Sequence, residues 1–169
     1  MSDGLTVRPA RPDELEEVGR LSLEAYLADG VVDPAGSYAR ELTDAPRRAA
    51  EAELLVAVDA AGMVVGTVTV CAPGSPLRRL SRPGELEFQM LAVAPAARRR
   101  GVGEALVRTV LARARRIAVH RVVLRSAAEM HVAHRLYARL GFIRLPERDM
   151  CPLPGVRLLV FGATTAPEP

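Results

Sequence analysis

The chain has 169 residues, 49% hydrophobic and 25% charged, proportions that suit one soluble globular domain and exclude a disordered or fibrous chain. All 23 basic residues are arginine, with no lysine and no asparagine anywhere, which is the mark of a genome avoiding AT-rich codons. Arginine content is therefore a poor sign of nucleic-acid binding; with a net charge of only +3, no nucleic-acid partner is expected. The missing lysine excludes Schiff-base chemistry and a Gly-Lys-Ser/Thr phosphate loop. No apolar run reaches membrane-span length, and Met1–Ala10 lacks the apolar core of a signal peptide. Cys71 and Cys151 stand in no metal-ligand spacing. The expectation is a cytoplasmic protein with free thiols, away from the membrane.

In chain order, "LTVRP" (Leu5–Pro9) predicts a first strand. Pro12, Asp13 and Glu14 open a helix that runs to about Asp29 with Leu15, Val18, Leu21 and Ala25 on one face. Residues 30–36 read as a loop and Ser37–Asp44 as a short second helix. "ELLVAVD" and "MVVGTVTVC" are strands joined by the "DAAG" turn. The segment "APGSPLRRLSRPG" (Ala72–Gly84) reads as a mobile loop, "ELEFQMLAV" (Glu85–Val93) as a strand. A long helix follows in "GVGEALVRTVLARARRIAV", with Val102, Leu106, Val110 and Ile117 on one side. "RVVLRS" is a strand, "MHVAHRLYARLGF" a helix closed by Gly141, and "GVRLLVF" the last strand. The order β-α-α-β-β-β-α-β-α-β predicts a mixed α/β sheet in one domain over residues 1–162, with parallel strands from the unit Glu85–Ser126 and a frayed tail over 163–169.

The chemistry concentrates where Arg98, Arg99 and Arg100 meet Gly101 and Gly103 at a helix start. A helix N-terminus exposes unpaired N–H groups and positive dipole charge, bare glycines admit an anion close to the backbone, and guanidinium forks match phosphate oxygens. A pyrophosphate is the indicated ligand. A dinucleotide is disfavoured: Leu106 stands where the third glycine of that fingerprint belongs, and Arg113–Arg121 offers no acidic ribose partner.

"LAVAPAARRRGVGEAL" resembles the acyl-CoA-binding motif of the GCN5-related N-acetyltransferases, Arg/Gln-x-x-Gly-x-Gly/Ala after a Val-x-Pro strand end, with Arg98, Gly101 and Gly103 at its fixed positions. "AHRLYARLGF" is similar to the family's second motif, a helix with a tyrosine ahead of Leu-Gly-Phe. The two span Glu85–Phe142. One departure is Met130, where many relatives carry an asparagine.

The resemblance implies a mostly antiparallel mixed sheet flanked by helices, acetyl-CoA as co-substrate, no metal, and direct transfer of the acetyl group to an amine in a ternary complex. It places the pyrophosphate on the N–H groups of Arg99, Arg100, Gly101, Val102, Gly103 and Glu104, beside Arg98. The pantetheine arm would lie along Leu91, Ala92 and Val93 like an added strand, beside a bulge and a splayed neighbour. An N–H near Leu91 or Ala92 would face the thioester carbonyl. Tyr137 would serve the leaving thiolate as acid; the alternative is a core aromatic. Glu87 alternates with Glu85 and Gln89 on its strand, where a carboxylate suits a general base, a structural hydrogen bond or attraction of a cationic substrate. The acceptor region of the family falls here on Tyr26, Asp29, Tyr38 and Glu41, then Asp149–Gly155, and its acids favour a cationic amine. Small-molecule and peptide acceptors both remain open, as does a homodimer. His131 and His134 have no further ligand to complete a metal site. Two other readings stand beside the enzyme: a catalytically idle acyl-CoA sensor, and a nucleic-acid-binding domain using Arg108, Arg113, Arg115 and Arg116.

Overall fold

The described residues, 4–165 of a computed structural model, form an eight-stranded sheet and five helices. The strands are β1 (Thr6–Pro9), β2 (Glu53–Val58), β3 (Val64–Cys71), β4 (Glu85–Val93), β5 (Arg121–Ala127), β6 (Ile143–Arg144), β7 (Met150–Leu153) and β8 (Val156–Thr164). The helices are α1 (Leu15–Ala28), α2 (Ser37–Thr43), α3 (Ala45–Glu51), α4 (Val102–Arg116) and α5 (His131–Arg139). The sheet runs β1-β2-β3-β4-β5-β8-β6 with β7 on β8, and every pairing is antiparallel except β4 with β5. That one parallel pair is the strand-helix-strand unit predicted from Glu85–Ser126.

Strand alternation sorts the side chains into two layers. Leu55, Leu86, Phe88, Val122 and Leu124 point to one face and pack against Leu106, Val107 and Val110 of α4 and Tyr137 of α5. Leu54, Val56 and Val58 point to the other and meet Val18 of α1 and Ala45 of α3. Burial on both faces explains why the central strands read as nearly unbroken apolar runs. Helix α4 buries Val102, Leu106, Val107, Val110, Leu111 and Ala114 at helical spacing. It ends where Ala118 takes a left-handed φ of 58°, so Ile117, expected on the apolar side, stands 49% exposed beyond the last turn.

Four features depart from the sequence reading. Asp44 both closes α2 and caps α3, accepting the Arg47 N–H at 3.2 Å, while Pro46 fits a first turn where its missing N–H costs nothing; the sequence reading ended its second helix at Asp44 and assigned no helix to the residues of α3. Strands β6 and β7 carry no periodic signal, being a two-residue pairing and an edge segment containing Pro152. Ala163 and Thr164, assigned to the tail, pair with Val122 and Arg121 as the end of β8, and the remainder of that tail, 166–169, lies outside the described residues. The segment 72–84, read as a mobile loop, makes contacts that tie it to the rest of the fold: Ser75 donates to the Glu51 carbonyl (2.7 Å), Arg148 to the Leu80 carbonyl (2.9 Å), and Leu77 is buried.

Candidate functional site

β4 is bent at its middle. Thr67 faces Ala92 and Thr69 faces Gln89, so Met90 and Leu91 together oppose Val68, and Met90 takes a left-handed φ of 54°. A non-glycine residue held in that conformation marks a built-in bulge. On its other side β4 pairs with β5 only from Glu85 to Glu87, opposite Arg121 to Val123. Past Glu87 the two strands part, because the bulge turns β4 with β3 while β5 stays registered on β8. The sheet thus opens into a slot flanked by the free edge of Phe88–Val93.

The arginine-glycine turn stands at the mouth of that slot. Arg99 (φ 65°) and Gly101 (φ 76°) both adopt the left-handed conformation, the kind of backbone turn from which anion-binding nests are built. Gly101 caps α4 without a side-chain bond, and among the described residues the first main-chain N–H after Arg98 to find a main-chain acceptor outside the strands belongs to Ala105, at 3.0 Å from the Gly101 carbonyl. Arg98 plays another part: its guanidinium bonds Asp29 (2.7 Å) and the Ala25 carbonyl (3.3 Å), fastening the turn to the end of α1. Arg99 and Arg100 are exposed. A Cβ on Gly103 would come within 3.2 Å of Leu136 and 3.7 Å of Val93, so this glycine faces α5 and β4 and lets them approach, while Gly101 supplies the positive φ.

Tyr137 comes up from α5 and is 4% exposed, its ring against Phe88 (6.0 Å between centroids), Phe142 (5.7 Å) and Phe161 (5.7 Å). Burial, then the neighbouring Tyr38, raises its phenol above the ordinary value, so it keeps its proton throughout the working pH range. Tyr26 and Tyr38 meet edge to face at 5.9 Å. Burial raises both phenols as well.

Glu87 is 1% exposed, yet its carboxylate does not face open space. It accepts the N–H groups of Arg79 (3.1 Å), Leu80 (2.8 Å) and Ser81 (2.8 Å), and the Gln89 amide, which in turn donates to the Leu77 carbonyl. Of the roles open to it from sequence, this is the structural hydrogen bond. Glu87→Gln should accordingly speed hydrogen exchange at Arg79, Leu80 and Ser81, because a neutral amide holds these donors less strongly. Unchanged protection at those amides would remove the anchoring role.

The acids expected to attract a cationic amine are engaged elsewhere. Asp29 holds Arg98, Glu41 meets Arg79 (3.0 Å), and Asp149 forms a two-pronged pair with Arg144 (2.8 and 2.6 Å) that holds its carboxyl down at about 2. Sequence reasoning missed Arg48, 3% exposed, and the buried pair of Glu85 with Arg148 (2.9 Å), since among so many arginines neither position carried a signal. Among the described residues no cluster of His, Cys, Asp or Glu suits a metal ion, and no helix is long and apolar enough to cross a membrane. Cys71 is buried, its thiol pushed up by burial to about 12, and Cys151 is exposed.

A sheet split beside a bulge, with an anion nest at the mouth of the split, defines an acyltransferase-type fold. The family model described as Acetyltransferase (GNAT) family matches residues 17–142, and the chain belongs to that family. Among solved structures, a GNAT-family acetyltransferase from Staphylococcus aureus Mu50 superposes with a TM-score of 0.74 at 13% identity, covering 95% of this chain and 99% of that one. A GCN5-related N-acetyltransferase from Kribbella flavida gives 0.69 at 24% identity, with 97% and 99% covered. The yncA protein of Salmonella typhimurium, solved with its cofactor acetyl-CoA, gives 0.69 at 20% identity, with 98% and 96% covered. No curated protein sequence matches the chain.

Proposed function

We propose that the protein transfers an acetyl group from acetyl-CoA to an amine by direct attack in a ternary complex. The observation that carries this is the union of the slot beside the Met90–Leu91 bulge with the nest at Arg99–Glu104. Thioester and polyphosphate are the two chemical ends of acetyl-CoA, and the two features would take one each.

The N–H groups of Arg99–Glu104 hold the pyrophosphate, with Arg99 and Arg100 supplying charge. The free edge of Leu91, Ala92 and Val93 bonds the pantetheine amides, and an N–H at Leu91 or Ala92 polarises the thioester carbonyl. The amine nitrogen bonds to the carbonyl carbon, the carbon–sulfur bond breaks, the electron pair leaves on sulfur, and the surplus proton of the nitrogen passes to the departing thiolate, directly or through water. Tyr137 donates a hydrogen bond to that sulfur. Ordinary pKa values near 10 for a phenol and 8.5 for a thiol make full proton transfer uphill by about 2 kcal/mol, and burial of Tyr137 raises this further. Tyr137 therefore stabilises the thiolate as a donor and retains its proton. The amine attacks in its neutral form, the only form with a free lone pair, and the Glu87 carboxylate is occupied by the 79–81 amides.

The test is a calorimetric titration with acetyl-CoA. Charge reversal of two exposed residues in Arg99→Glu/Arg100→Glu should leave the fold intact and weaken binding by at least about a hundredfold, as two charge-assisted contacts of roughly 1.5–3 kcal/mol each are lost. Failure of the unaltered protein to bind acetyl-CoA would sink the reading. Tight binding without thiol release on any amine would favour an acyl-CoA sensor.

A further inference from the structure

Resting on the acetyltransferase reading, the charges around the acceptor side of the slot say more about the amine. Alternation places Arg125 with Val123, which packs on Leu145 and Val160, and not with Val122 and Leu124, which pack toward α4. Arg125 thus lies on the same face as Thr69, Glu87, α1 and α3. It is half-buried, and among the described residues its side chain meets one polar partner, the Met150 sulfur at 3.5 Å.

Arg48 lies deeper on that face. Its guanidinium donates to Thr69 Oγ1 (3.2 Å), Ser22 Oγ (3.1 Å) and the Leu42 carbonyl, all neutral, and its Nε has no partner among the described residues. A buried cation ordinarily has a carboxylate beside it. Here the acids of this region are engaged: Glu41 by Arg79, Asp29 by Arg98, Asp149 by Arg144, and Glu87 by the 79–81 amides. Tyr26 and Tyr38 sit in the field of Arg48, and Tyr38 also in that of Arg125. Asp44, the cap of α3, is the one carboxylate in the field of Arg48, and among the described residues no acid pairs with Arg125, so the positive charge of this face is uncompensated at Arg125.

We infer that the acceptor is an amine bearing an oxyanion, of the amino-acid class, whose carboxylate or phosphonate is bound by Arg125 in the field of Arg48. A positive field repels an ammonium group, so it disfavours polyamines, favours the neutral amine that attacks, and leaves the anionic end as the attachment point. Guanidinium is suited to bidentate capture of such an anion, and Tyr26 and Tyr38 offer an aromatic wall with hydroxyl donors.

The experiment measures CoA thiol release for matched acceptors: an α-amino acid, its decarboxylated amine, its aminophosphonate analogue, and spermidine. The unaltered protein and Arg125→Met are compared. Expected is a kcat/KM at least about tenfold higher for the oxyanion-bearing amines than for the decarboxylated amine. This preference should collapse in Arg125→Met through KM, with acetyl-CoA binding unchanged, and return in part in Arg125→Lys. The ratio between carboxylate and phosphonate tells which oxyanion is preferred. Preference for spermidine or the decarboxylated amine, or a preference that survives in Arg125→Met, overturns the inference while leaving the acetyltransferase reading intact. The inference falls equally if acetyl-CoA binds but no oxyanion-bearing amine releases thiol. Absence of acetyl-CoA binding overturns the proposed function itself.

Discussion

Tyr137→Phe is expected to lower kcat by about a hundredfold while leaving the KM for acetyl-CoA within about twofold. A positioned donor to a leaving group is worth roughly 10²–10⁴ in rate, and the lower end fits a phenol that keeps its proton. The substitution removes one oxygen and keeps the ring against Phe88, Phe142 and Phe161, so the melting temperature should hold. Because burial raises the phenol above its ordinary value, its protonated form persists to higher pH, and kcat should show no alkaline loss within the range where an unperturbed tyrosine would ionise. Steady-state kinetics with thiol detection decides the matter. An unchanged kcat would make Tyr137 a packing residue only, the other reading its sequence position allowed.

The largest stability effect is expected from Arg148→Met. Arg148 and Glu85, 3% and 4% exposed, form a two-pronged pair at 2.9 Å, with Arg121 3.7 Å away. Removing one partner of a buried pair strands the other charge, at a cost of about 3–5 kcal/mol. For a chain of this length that corresponds to a fall in melting temperature of roughly 10 °C. Glu85→Leu/Arg148→Met should recover most of the loss, since a well-packed apolar pair is often as stable as the ion pair it replaces. Burial works to raise the Glu85 carboxyl, but Arg148 and the Arg82 N–H outweigh it and hold it below the ordinary carboxylate range. A lowered carboxyl stabilises the fold above its unfolded pKa, and that stabilisation is lost as pH falls through the lowered value. The single variant should therefore lose part of the acid limb of the stability profile. Thermal melts from pH 7 to pH 3 measure both effects, and a melting temperature within about 2–3 °C of the parent, a span of about 1 kcal/mol, would contradict them.

Much of the site was legible because its signals are local. The Arg98–Gly103 turn follows a strand and opens a helix within about ten residues, so its N–H groups and charges could be placed from sequence. The bulge and the splayed strands came through the resemblance of the two motifs, and the pairings of β4 confirm both. Glu87 shows the limit. Its place on the strand was readable, but the choice among its roles depended on residues 79–81, brought over it by a loop whose Pro, Gly and Ser content suggested motion. Arg98 shows the same limit, since its partner Asp29 is 69 residues away.

What the sequence determined by itself is the order of the longer elements, without α3, β6 and β7, the burial of α4 and the central strands, and the family, because periodicity and motif spacing act over a few residues and survive any arrangement of the rest. What only the tertiary structure decided is which charges are free. The pairs of Arg98 and Arg148 join segments more than sixty residues apart, and in a protein whose cations are all arginine no residue type distinguishes Arg98, Arg144 and Arg148, held by acids, from Arg48 and Arg125. The folded sheet makes that distinction by pairing Glu41, Asp29 and Asp149 with Arg79, Arg98 and Arg144, leaving Arg125 without an acid among the described residues.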